Sequence, residues 1–239
     1  MKKVFFLLLL LPLFGIAQTK TLLTSNRVFA KNEKTAEFEK ALASHAEKYH
    51  KGDVAWRVWS IESGPDAGGY MITEGPTTWS AMDGRGDISA EHTADWDKNV
   101  LPLTTDKSQS GYYDFQADLS TVQLTDYSDK IVINHITAKP GKIQDMKNLI
   151  VKMKKVWTAG NESMAVYSTV FSGESGYIQV TRLKNGLKEL ASDYRKSFAD
   201  RYNEANGAGS YDAWLKDYTD IVQNRWSELL IYKPLLSSK

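Results

Sequence analysis

Two amphipathic stretches 108 residues apart open two halves of the chain that run through the same series of elements. One begins AKNEKTAEFEKAL at Ala30, the other AKPGKIQDMKNLI at Ala138. In this register Phe38 aligns with Met146, Leu42 with Ile150, His45 with Met153 and Tyr49 with Trp157. The steps of four, three and four mark one apolar stripe on a helix, completed by Ala46 in the first half and by Leu149 and Val156 in the second. Each stretch is followed by two β-rich runs around a glycine-rich turn, VAWRVWSIESGPDAGGYMITEG and MAVYSTVFSGESGYIQVTRL, which predict hairpins. Helical material comes next. It starts at Trp79 and Met82 in the first half, and a stripe of Leu187, Leu190, Tyr194, Phe198 and Tyr202 predicts a second helix in the other. Closing β-like runs lie at Gly111 (GYYDF) and Glu228 (ELLIY), and opening ones at Asn26 (NRVFAK) and Lys130 (KIVINHITA).

The order is therefore β-α-β-β-α-β twice, a tandem ferredoxin-like repeat of the α+β class. The halves are expected at residues 26–118 and 130–236, joined by a polar linker at 119–129. A sheet covered by helices on one side leaves its other face bare, and a second copy can cover it. Two antiparallel sheets packed as an α+β barrel, helices outside, are the expectation.

The segment IVINHITAKPGKIQDM, with Pro140-Gly141 between first strand and first helix, and the paired hairpins resemble the dimeric α+β-barrel superfamily. Its antibiotic-biosynthesis monooxygenase-like, EthD-like and NIPSNAP-like domains are the members in view, here in a fused two-repeat form spanning Asn26 to Leu236. The first half has Asn32-Glu33 where the second has Pro-Gly. The resemblance implies the barrel. It leaves the activity open, because the superfamily hosts cofactor-free oxygenases, haem-degrading enzymes, dismutating and decarboxylating enzymes, and proteins without a known reaction.

Residues 1–17, MKKVFFLLLLLPLFGIA, read as a signal peptide: Lys2 and Lys3, an apolar run, then Gly15 and Ala17 before Gln18. The run is shorter than the roughly 20 residues a membrane span needs. The expected address is periplasmic or extracellular, with no membrane attachment after cleavage. The absence of cysteine excludes disulfides, thiolate metal sites and thiol catalysis. A formal net charge of +1 without a basic stripe argues against a nucleic-acid partner.

Chemistry-bearing residues are few. In VAWRVWSI, alternation puts Arg57 on a face with Trp59, inside a strand covered on both sides, where a guanidinium must pair, stack or hold an anion. Arg57, Trp59 and Trp79 are the candidate ligand-binding residues. His92, in AEHTADWDK, and His135, in IVINHITA, are weaker candidates for a catalytic base. His45 sits on the helix stripe as a core residue, and His50 at the helix end, where a cation is favoured by the dipole. One histidine among mobile carboxylates makes a poor metal site around His92, so neither metal nor cofactor is expected. The chain is expected to bind a small apolar or aromatic molecule. The alternatives are a cofactor-independent monooxygenase-like enzyme and a purely structural duplicated barrel.

Overall fold

The computed structural model describes residues 19–85 and 88–239, so the leader expected at residues 1–17 lies outside the described residues. The first half runs β1 (Leu22–Ala30), α1 (Thr35–Tyr49), β2 (Trp56–Ile61), β3 (Tyr70–Thr77), α2 (Trp79–Arg85), α3 (Ala90–Asp95) and β4 (Thr104–Phe115). The second runs β5 (Lys130–Ala138), α4 (Ile143–Ala159), β6 (Met164–Val170), β7 (Gly176–Arg182), α5 (Phe198–Asn206), α6 (Ser210–Ile221) and β8 (Val222–Tyr232).

The strands close into one eight-stranded antiparallel barrel in the order β1-β3-β2-β8-β5-β7-β6-β4. Six of the eight pairings stay within a half. The two seams between halves are β2 with β8, from Trp59↔Tyr232 to Ile61↔Leu230, and β4 with β6, from Tyr112↔Val170 to Phe115↔Tyr167. Closure leaves no unpaired sheet edge for another chain to extend.

Alternation along each strand separates inside from outside. In β2, Trp56 and Val58 face outward and pack with Phe38, Leu42 and Ala46 of α1. Trp59 and Ile61 face the lumen with Met71, Ile131, Ile133 and Leu230. A third cluster lies under α4, whose buried face is Met146, Leu149, Ile150, Met153, Val156 and Trp157, the stripe read from the sequence. Among the described residues no helix is long and apolar enough to cross a membrane.

Two local expectations are corrected. β1 starts at Leu22, ahead of Asn26. The stripe from Leu187 to Tyr202 is not one helix: a 3-10 turn at Leu187–Leu190 ends, and α5 begins afresh after Ser197, whose side chain accepts from Asp200 N. A serine cap offers the backbone a new start, so the apolar spacing upstream is left without a helix, and Leu190 stays 52% exposed. The segment expected to link the halves, 119–129, packs on the barrel: Leu119 and Ser120 are buried, and Leu124 and Tyr127 line the cavity.

Candidate functional site

The barrel encloses a mainly apolar cavity of about 80 Å³, lined by Leu23, Met71, Ile131, Ile133, Ile178 and Val180 among others. Three arginines line it, Arg27, Arg57 and Arg182, in different states. Arg27, on β1, is fully neutralised. It donates to Glu228 through both terminal nitrogens, at 2.8 and 2.5 Å, and to Asp66 at 2.8 Å. Asp66 is held there by the β2–β3 loop, which approaches β8 closely at Gly64, where φ is +91° and an added Cβ would lie 3.1 Å from Ser227 O. Burial pushes the Glu228 carboxyl up, but its bonds to Arg27 and His135 outweigh this and hold it below the usual carboxylate range.

Arg57 has no such partner. Its guanidinium carbon lies 4.0 Å from the Tyr127 ring centroid, 4.3 Å from that of Tyr232 and 5.6 Å from that of Trp59. Its Nε is buried and unbonded, as is Trp59 Nε1. Among the described residues no carboxylate lies within ion-pairing distance of Arg57. The aromatic faces supply cation–π attraction, which offsets part of the desolvation but leaves the buried Nε donor unsatisfied. By strand register the second half matches Arg57 with Ala165 and Trp59 with Tyr167, another lumen residue, whose hydroxyl pKa burial pushes up despite the nearby charge of Arg182.

Tyr127 and Leu124 belong to the segment between the halves, and that segment covers one end of the lumen. Arg182 fastens it by donating to Gln123 O at 2.8 Å and Leu124 O at 3.3 Å. Lys184 reaches Tyr127 O and ion-pairs with Asp126.

Of the sequence candidates, Arg57 and Trp59 meet at this cavity. His135 also lines it; its Nε2 donates to Glu228 at 2.7 Å, which leaves the lone pair on Nδ1, and its ring stacks on Trp226 at 3.7 Å. Trp79 does not belong to the lumen. It is 44% exposed and packs on Tyr112 and Phe171 outside, because α2 runs along the barrel's exterior.

His92 lies elsewhere, in a group the sequence reading kept apart. α3, capped by Ser89, which accepts from His92 N, lays His92 over α1. The rings of His45, His50 and His92 come together with centroids 4.8 to 5.4 Å apart. His45 Nδ1 donates to Asp95 at 2.8 Å, and His50 Nδ1 donates to Val54 O at 3.1 Å. Burial lowers the pKa of both His45 and His50, more than Asp95 and Glu74 raise them, and keeps the rings neutral near pH 7. This corrects the reading of His50 as a helix-end cation: it is 1% exposed, stacked on Trp56 at 3.4 Å. Its position after the helix gave no sign of this, since the cover comes from α3 and β2.

No family model matches the chain, and no curated protein matches it. Solved structures do. An anthrone oxidase-like protein is similar at 13% identity and a TM-score of 0.57, over 90% of this chain and 92% of its own. A protein from Fusobacterium nucleatum with a provisional monooxygenase assignment is similar at 14% identity and a TM-score of 0.52, over 88% and 91%. A chlorite dismutase variant from Candidatus Nitrospira defluvii follows at 7% identity and a TM-score of 0.50, over 92% and 94%. These neighbours belong to the dimeric α+β-barrel superfamily, and at such identities the likeness is one of fold.

Proposed function

We propose that this protein binds a small organic anion, a carboxylate or phenolate on an apolar or aromatic body, inside the barrel. The observation that carries the reading is Arg57: a guanidinium boxed by aromatic rings at an apolar cavity, with a buried donor and no carboxylate. A bound anion would satisfy it, and a planar one suits the guanidinium fork. The cavity is about 80 Å³, near half the roughly 150 Å³ that encloses a benzene in an engineered core. A ring-sized ligand therefore requires Tyr127 to swing aside. In this reading the two halves are ferredoxin-like units fused in tandem, and the leader at residues 1–17 sends the protein to the periplasm or outside the cell.

The descriptions of the fold neighbours favour a second reading, a cofactor-independent monooxygenase-like enzyme using the same pocket. Against it, the lumen histidine, His135, has Nε2 tied to Glu228 and keeps only Nδ1, on a ring stacked against Trp226, for proton transfer. Binding thus stands ahead of catalysis.

The test is a screen of aromatic acids and phenols by tryptophan fluorescence and thermal shift on the wild type, Arg57→Ala and Arg57→Lys. Loss of a charge-assisted contact is expected to weaken binding about 10- to 100-fold in Arg57→Ala. Binding that is equal in wild type and Arg57→Ala, with the fold intact, overturns the proposal.

A further inference from the structure

The helical layer over the first half holds a second, independent constellation. One ring nitrogen from each of His45, His50 and His92 lies within 4.8 Å of the other two. His50 Nε2 and His92 Nε2 are 3.2 Å apart. Two imidazole nitrogens bound to one tetrahedral ion at about 2.0–2.1 Å would be separated by roughly 3.3–3.4 Å, so this pair already spans one edge of such a site. His45 Nε2 is buried and has no hydrogen-bond partner.

The outer contacts set the tautomers. Asp95 only accepts, so His45 carries its proton on Nδ1. The Val54 carbonyl likewise fixes the His50 proton on Nδ1. His50 thus turns its Nε2 lone pair toward His92, and His45 keeps a lone pair on its buried Nε2; a carboxylate or carbonyl on the other nitrogen is the usual support of a metal-bound histidine. Without an ion, a proton shared between His50 and His92 would satisfy that pair and leave His45 Nε2 alone.

We propose that His45, His50 and His92 bind one divalent first-row transition-metal ion, zinc foremost. Three neutral imidazoles suit zinc, copper, nickel or cobalt, and they do not suit magnesium or calcium, which take oxygen ligands. His50 and His92 also line a cleft of about 730 Å³, together with Glu74, Trp56, Trp96 and Lys107. The histidine group therefore borders an open cleft whose walls are partly polar and partly aromatic. Structural zinc sites are closed by four protein ligands, whereas three plus an open position is the arrangement of sites that take water or a substrate.

The experiment uses tag-free, chelator-stripped protein titrated with Co²⁺ and followed by visible absorption, then challenged with Zn²⁺. One Co²⁺ per chain, displaced by Zn²⁺, is expected, and Zn²⁺ should raise the unfolding temperature. Cu²⁺ should quench tryptophan fluorescence, because Trp56 stacks on His50. His92→Ala, which alters a half-buried residue, should weaken Co²⁺ uptake at least 10-fold with circular dichroism unchanged, and His135→Ala should bind as the wild type does. His45→Ala is less decisive, since that side chain is fully buried. No Co²⁺ uptake, or uptake equal in wild type and folded His92→Ala, overturns the proposal. Neither result bears on the lumen, where Arg57 is tested separately.

Discussion

Over the second half, α4 lays Met153, Val156 and Trp157 into a cluster with Tyr202 and Trp214, and the rings of Phe198 and Tyr211 close around it. Over the first half, the positions matching Met153 and Met164 are His45 and Trp56, and the neighbours are His50, His92 and Trp96. One layer is filled with thioether and aromatic surface. The other places imidazoles where packing would be served as well by methionine. A buried polar atom left without a partner costs about 1–3 kcal/mol, and the His45 Nε2 is such an atom. Trp214 Nε1 is unbonded too, but an indole nitrogen comes with a large apolar body and cannot ligate a metal. The same scaffold thus devotes one helical layer to stability and keeps polar chemistry in the other.

The comparison breaks first if the second layer is not the stabilising one. Trp214→Ala should cost about 3–5 kcal/mol in equilibrium urea unfolding, and a loss below about 0.5 kcal/mol would place Trp214 outside the core. Next in size is the response to acid. His45 and His50 have folded pKa values below the unfolded value of 6.5, so the unfolded chain takes up protons first as the pH falls. Their contribution is complete above about pH 6.5 and is lost as the pH drops toward the folded values. Thermal unfolding in steps from pH 8 to 5.5 should show this decline before the Arg27–Glu228 pair, which fails only in stronger acid, contributes. A flat profile across that window would mean that the first layer does not hold its histidines neutral. The smallest effect expected is that of His45→Met, which copies the second half: a stability change within about 1.5 kcal/mol. The same variant should make the pH profile shallower, leaving the part due to His50, and abolish Co²⁺ uptake. A loss above about 3 kcal/mol would instead make His45 a packing residue.

What was legible in the sequence follows from how local each signal is. The stripe from Met146 to Trp157 and the alternation placing Arg57 beside Trp59 are periodicities of a single element, and both appear in the structure. The barrel's seams are not local: β2 meets β8 across most of the chain, and no spacing announces it. The helices after each hairpin were harder, because capping serines at Ser89 and Ser197 restart the backbone within otherwise regular apolar spacing. Trp79 was misplaced for a related reason, since an aromatic at a helix start does not reveal which side of the sheet the helix takes. The histidine cluster was invisible, as His45 and His50 lie 42 or more residues from His92 and meet it only when α3 crosses α1.

The segment that joins the halves is tethered at both ends and fastened in the middle by Arg182 and Lys184. A flap with a free tip can rotate open on one hinge. A strap cannot: it must shed several bonds together and lift as a bow. Entry past this segment is then set by the swing of the Tyr127 side chain, 39% exposed, or, for anything larger, by detachment of the strap, a local unfolding event. Because Tyr127 also packs on Arg57, cutting the strap would change the rate of entry and the strength of holding together.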